Sequence, residues 1–313
     1  MTAAADRATK SSSKGGNISY SQYSVYVGPQ ASVFNLHPND VEMEASGNEL
    51  NGFSNFVYAE GDVQELTLDG STLQDHNHGT DALVKLTGWG GHLVELLNCH
   101  VSNTAEDGIV NRAINVDHVI IDGGRWERID GNAVDTEMTT QLTVDGTTFS
   151  EIGGSVVHAL DPKILNVDGV TLDNIGGVAF DLDGDFFEDV TITDISGSGV
   201  NQVLSLVASS GTNTNLRFGE WNVRPEAAPA IEISTPDSIW SLDMSKIQLY
   251  WGNTNLDLSG DGPVVDIFCT NLYESEVSKN KLTCRGGLFD QFTSVTPSGS
   301  VANCYFEKNY KAR

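Results

Sequence analysis

IDGGRWERIDGNAV (residues 121–134), VDGTTFSEIGGSVV (144–157) and VDGVTLDNIGGVAF (167–180) are three versions of one phrase, each set 23 residues after the last. The same step links Trp126, Phe149, Leu172 and Ile195, then Ile121, Val144, Val167 and Val190, then Val134, Val157, Phe180 and Val203. A fixed period in the twenties defines a solenoid, because one such unit cannot bury its apolar face alone. Apolar residues alternate within the unit, as in Leu142 and Val144, Leu165 and Val167, Val190 and Ile192, which is the period of a strand. Asp-Gly and Gly-Gly pairs mark tight turns between the strands. No stretch of ten or more residues carries a 3.6-residue apolar stripe, which excludes helical solenoids and leucine-rich repeats with long helices. The expected fold is all-β: a single-stranded parallel β-helix with coils of about 23 residues and rungs about 4.8 Å apart, right-handed by the general preference of parallel crossovers.

The pattern continues with slippage in LDGSTL (68–73), LLNCHV (96–101), FGEWNV (218–223), LDMSKI (242–247), IFCTNL (267–272) and VANCYF (301–306). The second and last of these look like the I-x-N-C-x-F phrase of parallel β-helix repeats. Residues from about 60 to 306 therefore resemble the pectate-lyase-like superfamily of right-handed β-helices. That fold carries lyases, hydrolases, epimerases, viral spikes and inert fibres, so the resemblance speaks to fold before function. It implies lateral grooves as the place for a polysaccharide site, and homo-oligomers, trimers favoured, for spikes. The expected organisation is a flexible basic arm at 1–17, N-terminal strands and a cap at 18–60, the β-helix at 61–306 and a tail at 307–313.

The chain has 313 residues and a formal net charge of −26, from 17 basic and 43 acidic side chains. Such a surface repels phosphates, which argues against a nucleic-acid partner. It fits a protein of a halophilic system, where salt screens the self-repulsion. No run of about 18 apolar residues is present, so no membrane insertion is expected. MTAAADRATKSSSKGG (1–16) has neither an apolar h-region nor a twin-arginine pair, so no secretory signal is expected. The first 17 residues instead hold Arg7, Lys10 and Lys14 against Asp6, a basic arm suited to docking on other subunits of an assembly. Cys99, Cys269, Cys284 and Cys304 lack C-x-x-C spacing, which excludes a zinc site of that type and leaves buried small side chains or a pair between Cys284 and Cys304.

The residue after the third apolar anchor should point outward. At the 23-residue step this gives Arg112, Asp135, His158 and Asp181 as one outer column, with Glu137, Asp161 and Asp183 two or three positions further along. Crowded carboxylates raise one another's pKa, and a carboxylate beside histidine raises the imidazole's. Asp135, His158 and Asp181 are the candidate catalytic groups for acid–base work on a polysaccharide. Arg112, Glu137, Asp161, Asp183 and the loop residue Trp89 are the candidate ligand contacts. Asp181, Asp183, Asp185 and Glu188 have the alternating carboxylates of a cation loop but lack the EF-hand spacing, so no cofactor is expected, with Ca²⁺ or another cation as the alternative. Asp122, Asp145 and Asp168 each precede Gly and read as turn residues. Asp75, His76, His78 and Asp81 lie in an inter-coil insert that reads as loop. The phrases by which polygalacturonases are recognised are absent. The expectation is a virion spike, fibre or turret protein exposed at the virion surface and binding a host cell-surface glycan or glycoprotein. The alternative is an extracellular polysaccharide lyase or glycoside hydrolase using the lateral patch.

Overall fold

A computed structural model describes residues 11–19, 23–29, 32–44, 55–76, 82–111, 114–185, 187–209, 214–226, 231–234, 239–245, 248–249, 256–259, 264–269, 272–277, 282–284 and 289–295. Among them every element is a strand, and the strands stack in parallel as a β-solenoid. Three ladders run along it. The first carries Asn55–Ala59, Val84–Leu86, Ile109–Asn111, Val134–Glu137, Val157–Leu160, the 178–184 part of Val170–Gly184, the 202–208 part of Ile195–Ala208, and Ile231–Ser234. The second carries Asp62–Asp69, Trp89–Leu97, Ile114–Asp122, Gln141–Asp145, Ile164–Asp168, Asp189–Thr193 and Thr214–Gly219. The third carries Thr72–His76, His100–Thr104, Arg125–Ile129, Thr148–Ile152, and then 170–175, 195–200 and Asn222–Pro225.

Alternation sends one side of each ladder into a continuous core. Trp126 stacks under Phe149 with ring centroids 5.9 Å apart, and Phe218 lies 5.3 Å from Trp221. Each such fully buried side chain stabilises the fold by about 1.5–3 kcal/mol, and each aromatic pair adds about 0.5–1.5 kcal/mol. Trp221 donates its indole N–H to the Ile192 carbonyl at 2.7 Å. Cys99 is buried, as its small, turn-adjacent place implies, and burial pushes its thiol up to about 11.

Corners are made by left-handed residues that stack from coil to coil. One file runs Gly70, Asn98, Gly123, Gly146, Gly169, Asp194 and Glu220; another runs Asn103, Arg128, Glu151, Asn174 and Gly199. The Asp-Gly pairs of the repeat sit in the first file, and Asp122, Asp145 and Asp168 are register partners with exposed side chains. A side-chain ladder fixes the entry to the first sheet. The Asn132 amide donates to Oδ1 of Asp107 at 2.6 Å, and the Ser155 amide donates to Oδ1 of Asn132 at 2.7 Å.

The 23-residue step holds from the Ile121 rung to the Asp183 rung. Beyond it the register differs from the expected series. Ile195 partners Val170, Val190 partners Leu165, and Leu204 rather than Val203 partners Phe180. Two changes cause this: one corner gains two residues, which gives the 25-residue steps to Val190 and Ile195, and one residue is dropped opposite 175–178, which brings the step from Phe180 to 24. Four positions separate Leu160 from Ile164, whereas six separate their partners Asp183 and Asp189, and Phe187 of the longer corner is buried. At the other end, Ser11–Ser19 pairs in parallel with 36–44, and Tyr23–Val27 pairs with Asn55–Ala59. Strand stacking thus starts inside the segment expected as a flexible arm and continues through the one expected as a cap. Parallel pairing is made by backbone groups, and the Ser- and Gly-rich composition does not prevent it. Residues 1–10 and the expected tail at 307–313 lie outside the described residues.

Candidate functional site

The outward face of the first ladder carries one polar column. Seven of the nine rungs have the form apolar–X–apolar, the exceptions being Ile109-Val110-Asn111 and Val134-Asp135-Thr136, and the register sets the central residues in the order Tyr26, Tyr58, Lys85, Val110, Asp135, His158, Asp181, Ser205, Glu232. At about 4.8 Å per rung this is a file of roughly 38 Å.

Asp135, His158 and Asp181 occupy consecutive rungs. Nδ1 of His158 lies 3.0 Å from Oδ1 of Asp135, with side-chain exposures of 29% and 7%. That hydrogen bond raises the His158 pKa; burial opposes it, and the charges of Asp135, Asp181 and Asp107 add to it. The Asp181 pKa is also raised, first by burial and further by the charges of Asp183 and Glu232. The charge of His158 and a hydrogen bond from Ser205 work the other way. The column therefore holds an imidazole whose cation is favoured beside a carboxyl whose neutral form is favoured, two groups able to hold protons near each other.

Further along, Tyr26 and Tyr58 stack with centroids 5.7 Å apart and an interplanar angle of 27°. Both hydroxyls donate to Glu60, and Nζ of Lys85 lies 5.7 Å from the Tyr58 ring centroid. This end of the column carries aromatic and cationic character where the other end is acidic.

The remaining expected contacts divide. Glu137 and Asp183 lie on the same outward face, two positions beyond Asp135 and Asp181. Asp161 turns the corner in a left-handed conformation, and its Oδ1 accepts the Asp185 amide at 2.6 Å. Arg112 lies outside the described residues, and the place beneath Asp135 belongs to Val110, because the step there is 25 rather than 23. Trp89 opens a strand of the second sheet, its side chain being outside the described set. The carboxylates of the expected cation loop are spread over a strand and the corner that follows it. Asp181 and Asp183 project from the first sheet, whereas Asp185 stands at the corner and accepts the Ser209 hydroxyl. Among the described residues no three acidic, histidine or cysteine side chains converge as a metal site. His78 and Asp81 of the insert lie outside the described residues, and so does Cys304. On the third sheet Glu127 is held by Arg125 and Arg128, each at 2.6 Å, and Arg128 also donates to Oδ1 of Asn103 on the coil below.

The 23-residue step could not reach Tyr26, Tyr58, Ser205 and Glu232. A usable signal was present in Leu204-Ser205-Leu206 and Ile231-Glu232-Ile233, whose apolar–X–apolar form repeats that of Val157-His158-Ala159.

These features define an all-β parallel solenoid bearing a lateral polar file. No family model, no curated protein and no solved structure matches the chain.

Proposed function

We propose that the protein is a recognition protein of the spike or fibre kind, which binds a cell-surface glycan along the column from Tyr26 to Glu232. The observation that supports this reading is the column itself. It is straight over nine rungs, yet its residues are almost all different, whereas a passive fibre gains most from repeating one side chain. An extended polymer laid along the axis meets a new chemical group about every 4.8 Å. The carboxylates Asp135, Glu137, Asp181, Asp183 and Glu232 make a polyanion the least favourable ligand, so neutral or amino-bearing sugars fit best. The acidic composition supports work at high salt, as in a virion of a salt-loving host. In that setting the chain acts as a homo-oligomer, a trimer for preference, with residues 1–17 meeting other virion subunits.

Calorimetric titration with neutral, amino-sugar and uronate polysaccharides tests the reading. Tyr58→Ala, His158→Ala and Glu232→Ala should each weaken binding at least about tenfold, the scale of one lost buried contact, while Asn166→Ala on the second sheet should not. Equal binding by all four variants removes the column from the function. Light scattering after size exclusion tests the oligomer.

A second reading, a glycoside hydrolase or polysaccharide lyase, is favoured by a different observation: the 3.0 Å contact between His158 and Asp135 beside the half-buried Asp181.

A further inference from the structure

We infer that Asp181 and Glu232 act as an acid–base pair for the inverting hydrolysis of a glycosidic bond, with Ser205 between them opening the gap in which the water and the anomeric carbon meet. The inference rests on the hydrolase reading, and it assigns roles to two residues outside the group formed by Asp135, His158 and Asp181.

The register places Asp181 opposite Ser205 and Ser205 opposite Glu232. The two carboxylates thus leave the same outward face two rungs apart, about 9.6 Å between their strands. Inverting glycosidases hold their carboxyl groups about 6.5–9.5 Å apart, to admit a water on the far side of the sugar, while retaining enzymes hold them at about 5–5.5 Å. A separation of two rungs is close to the upper end of the first spacing, and one rung is close to the second. The intervening side chain decides which two-rung pair is usable. Asp135 and Asp181 are also two rungs apart, but the His158 imidazole fills the space between them and is bonded to Asp135. Between Asp181 and Glu232 the space-filling group is only a serine hydroxymethyl. Asp183 lies two positions along the same strand, and the side chain between it and Asp181 is Leu182, which faces the core.

In the reaction the carboxyl proton of Asp181 passes to the glycosidic oxygen as the bond from that oxygen to the anomeric carbon breaks. Water attacks the opposite face of that carbon, forming the new C–O bond, and gives its proton to Glu232. Water is the only co-reactant, and the anomeric configuration inverts. Burial favours the protonated form of Asp181 that this role needs, and Glu232 is among the charges that add to the effect. His158 is then a positioning residue, its cation held by Asp135 one rung below the acid.

The experiment incubates the full chain with dextran, partly deacetylated chitosan and polygalacturonate, at low and at molar salt. It reads binding by calorimetry, reducing ends by colorimetry and the first-formed anomer by proton NMR. The expected result is cleavage of the neutral or amino-sugar polymer with inverted configuration. Loss of an acid–base group costs about 10²–10⁴-fold, so Glu232→Gln should lower kcat by that factor with binding retained. Ser205→Leu should abolish cleavage without moving the thermal midpoint. Binding without cleavage, product of retained configuration, cleavage of polygalacturonate alone, or full activity in Glu232→Gln overturns the pair and leaves glycan recognition standing. Binding to none of the three polymers overturns both.

Discussion

Exchanging Asp135 for Asn removes a charge and leaves the shape, so it tests the electrostatic centre of the column. The bond from Asp135 to His158 spans 3.0 Å between side chains that are 7% and 29% exposed, and it is the largest influence raising the imidazole above its ordinary value of 6.5. Hydrogen bonds to a charged group stabilise by about 1.5–3 kcal/mol and neutral ones by about 0.5–1.5 kcal/mol. The exchange therefore costs about 1–2 kcal/mol while His158 is protonated. It also lowers the His158 pKa, because the largest raising influence is weakened. Burial then acts against the cation with only Asp181 and Asp107 to oppose it. The pKa is read by NMR titration of histidine-labelled protein, with the resonance identified by its loss in His158→Gln. The same pair sets a pH dependence of stability. A histidine whose pKa rises on folding contributes in full below 6.5, and that contribution disappears as pH climbs through the folded pKa. The urea midpoint of the parent protein should fall across that window, and the fall should be smaller in Asp135→Asn. An unchanged His158 pKa in the variant, or an equal fall in both proteins, would refute the assignment of Asp135 as the group that holds the cation.

Asp181→Asn should stabilise the protein at neutral pH, because an acid whose pKa rises on folding opposes the fold once it is ionised; a lower urea midpoint at pH 7 would contradict this. Gly124→Ala should destabilise by more than about 3 kcal/mol. Its φ is +82° and the new methyl would overlap the Cys99 carbonyl oxygen, whereas at Gly146, with φ +54° and the nearest atom at 4.0 Å, the same change should cost about 1 kcal/mol; equal costs would show that the coil contact is not tight. Met138→Asn should stabilise by about 0.5–1 kcal/mol, because Met138 is 54% exposed and held at φ +57°; a loss of stability would mean that its side chain is packed. Cys99, with its pKa near 11, should be about one part in a thousand thiolate at pH 8. Alkylation read on its peptide by mass spectrometry should await unfolding, and rapid labelling of the folded protein would contradict its burial.

The strands and their parallel stacking were legible because three successive coils have the same length. Equal length turns a sequence interval into a vertical neighbour, which is why Asp135, His158 and Asp181 could be placed on adjacent rungs from the sequence. It failed wherever a corner changes length. The residues from 112 to 117 hold two more positions than the next corner, so Val110 rather than Arg112 meets Asp135. The corner at 184–188 is longer by two and one residue is dropped opposite 175–178, so Ser205 stands 24 residues after Asp181; Glu232 stands 27 after Ser205, and both fall off the 23-residue grid. Corner length has a weak sequence signature, since it is set by which left-handed residue makes the bend and by whether an apolar residue such as Phe187 can tuck inward. The carboxylates expected as a cation loop are spread along the chain for another reason. Alternate carboxylates on one strand line a face in a row, whereas a cage needs ligands converging from several directions.

Corners absorb these length changes, and the first sheet does not. From Val57 to Ile231 its rungs pair without a bulge inside the strands that carry the column, and the irregularity opposite Val170–Gly184 falls between Ile175 and Val178, before the column begins. Insertions therefore leave the outward file straight, and a residue in it keeps its neighbours whatever the neighbouring coils contain. This separates two kinds of change that are entangled in most folds. A substitution in the file alters chemistry at a fixed position, because the backbone beneath it is held by a parallel ladder on both sides and a core of stacked side chains. A change at a corner alters what lies beside the file and leaves its order intact. The contrast between Glu232→Gln and Asp135→Asn is informative for this reason. Both substitutions sit on the same ladder and conserve size, so a difference between them in binding, in turnover or in the His158 titration reports chemistry along the column rather than movement of the strands that present it.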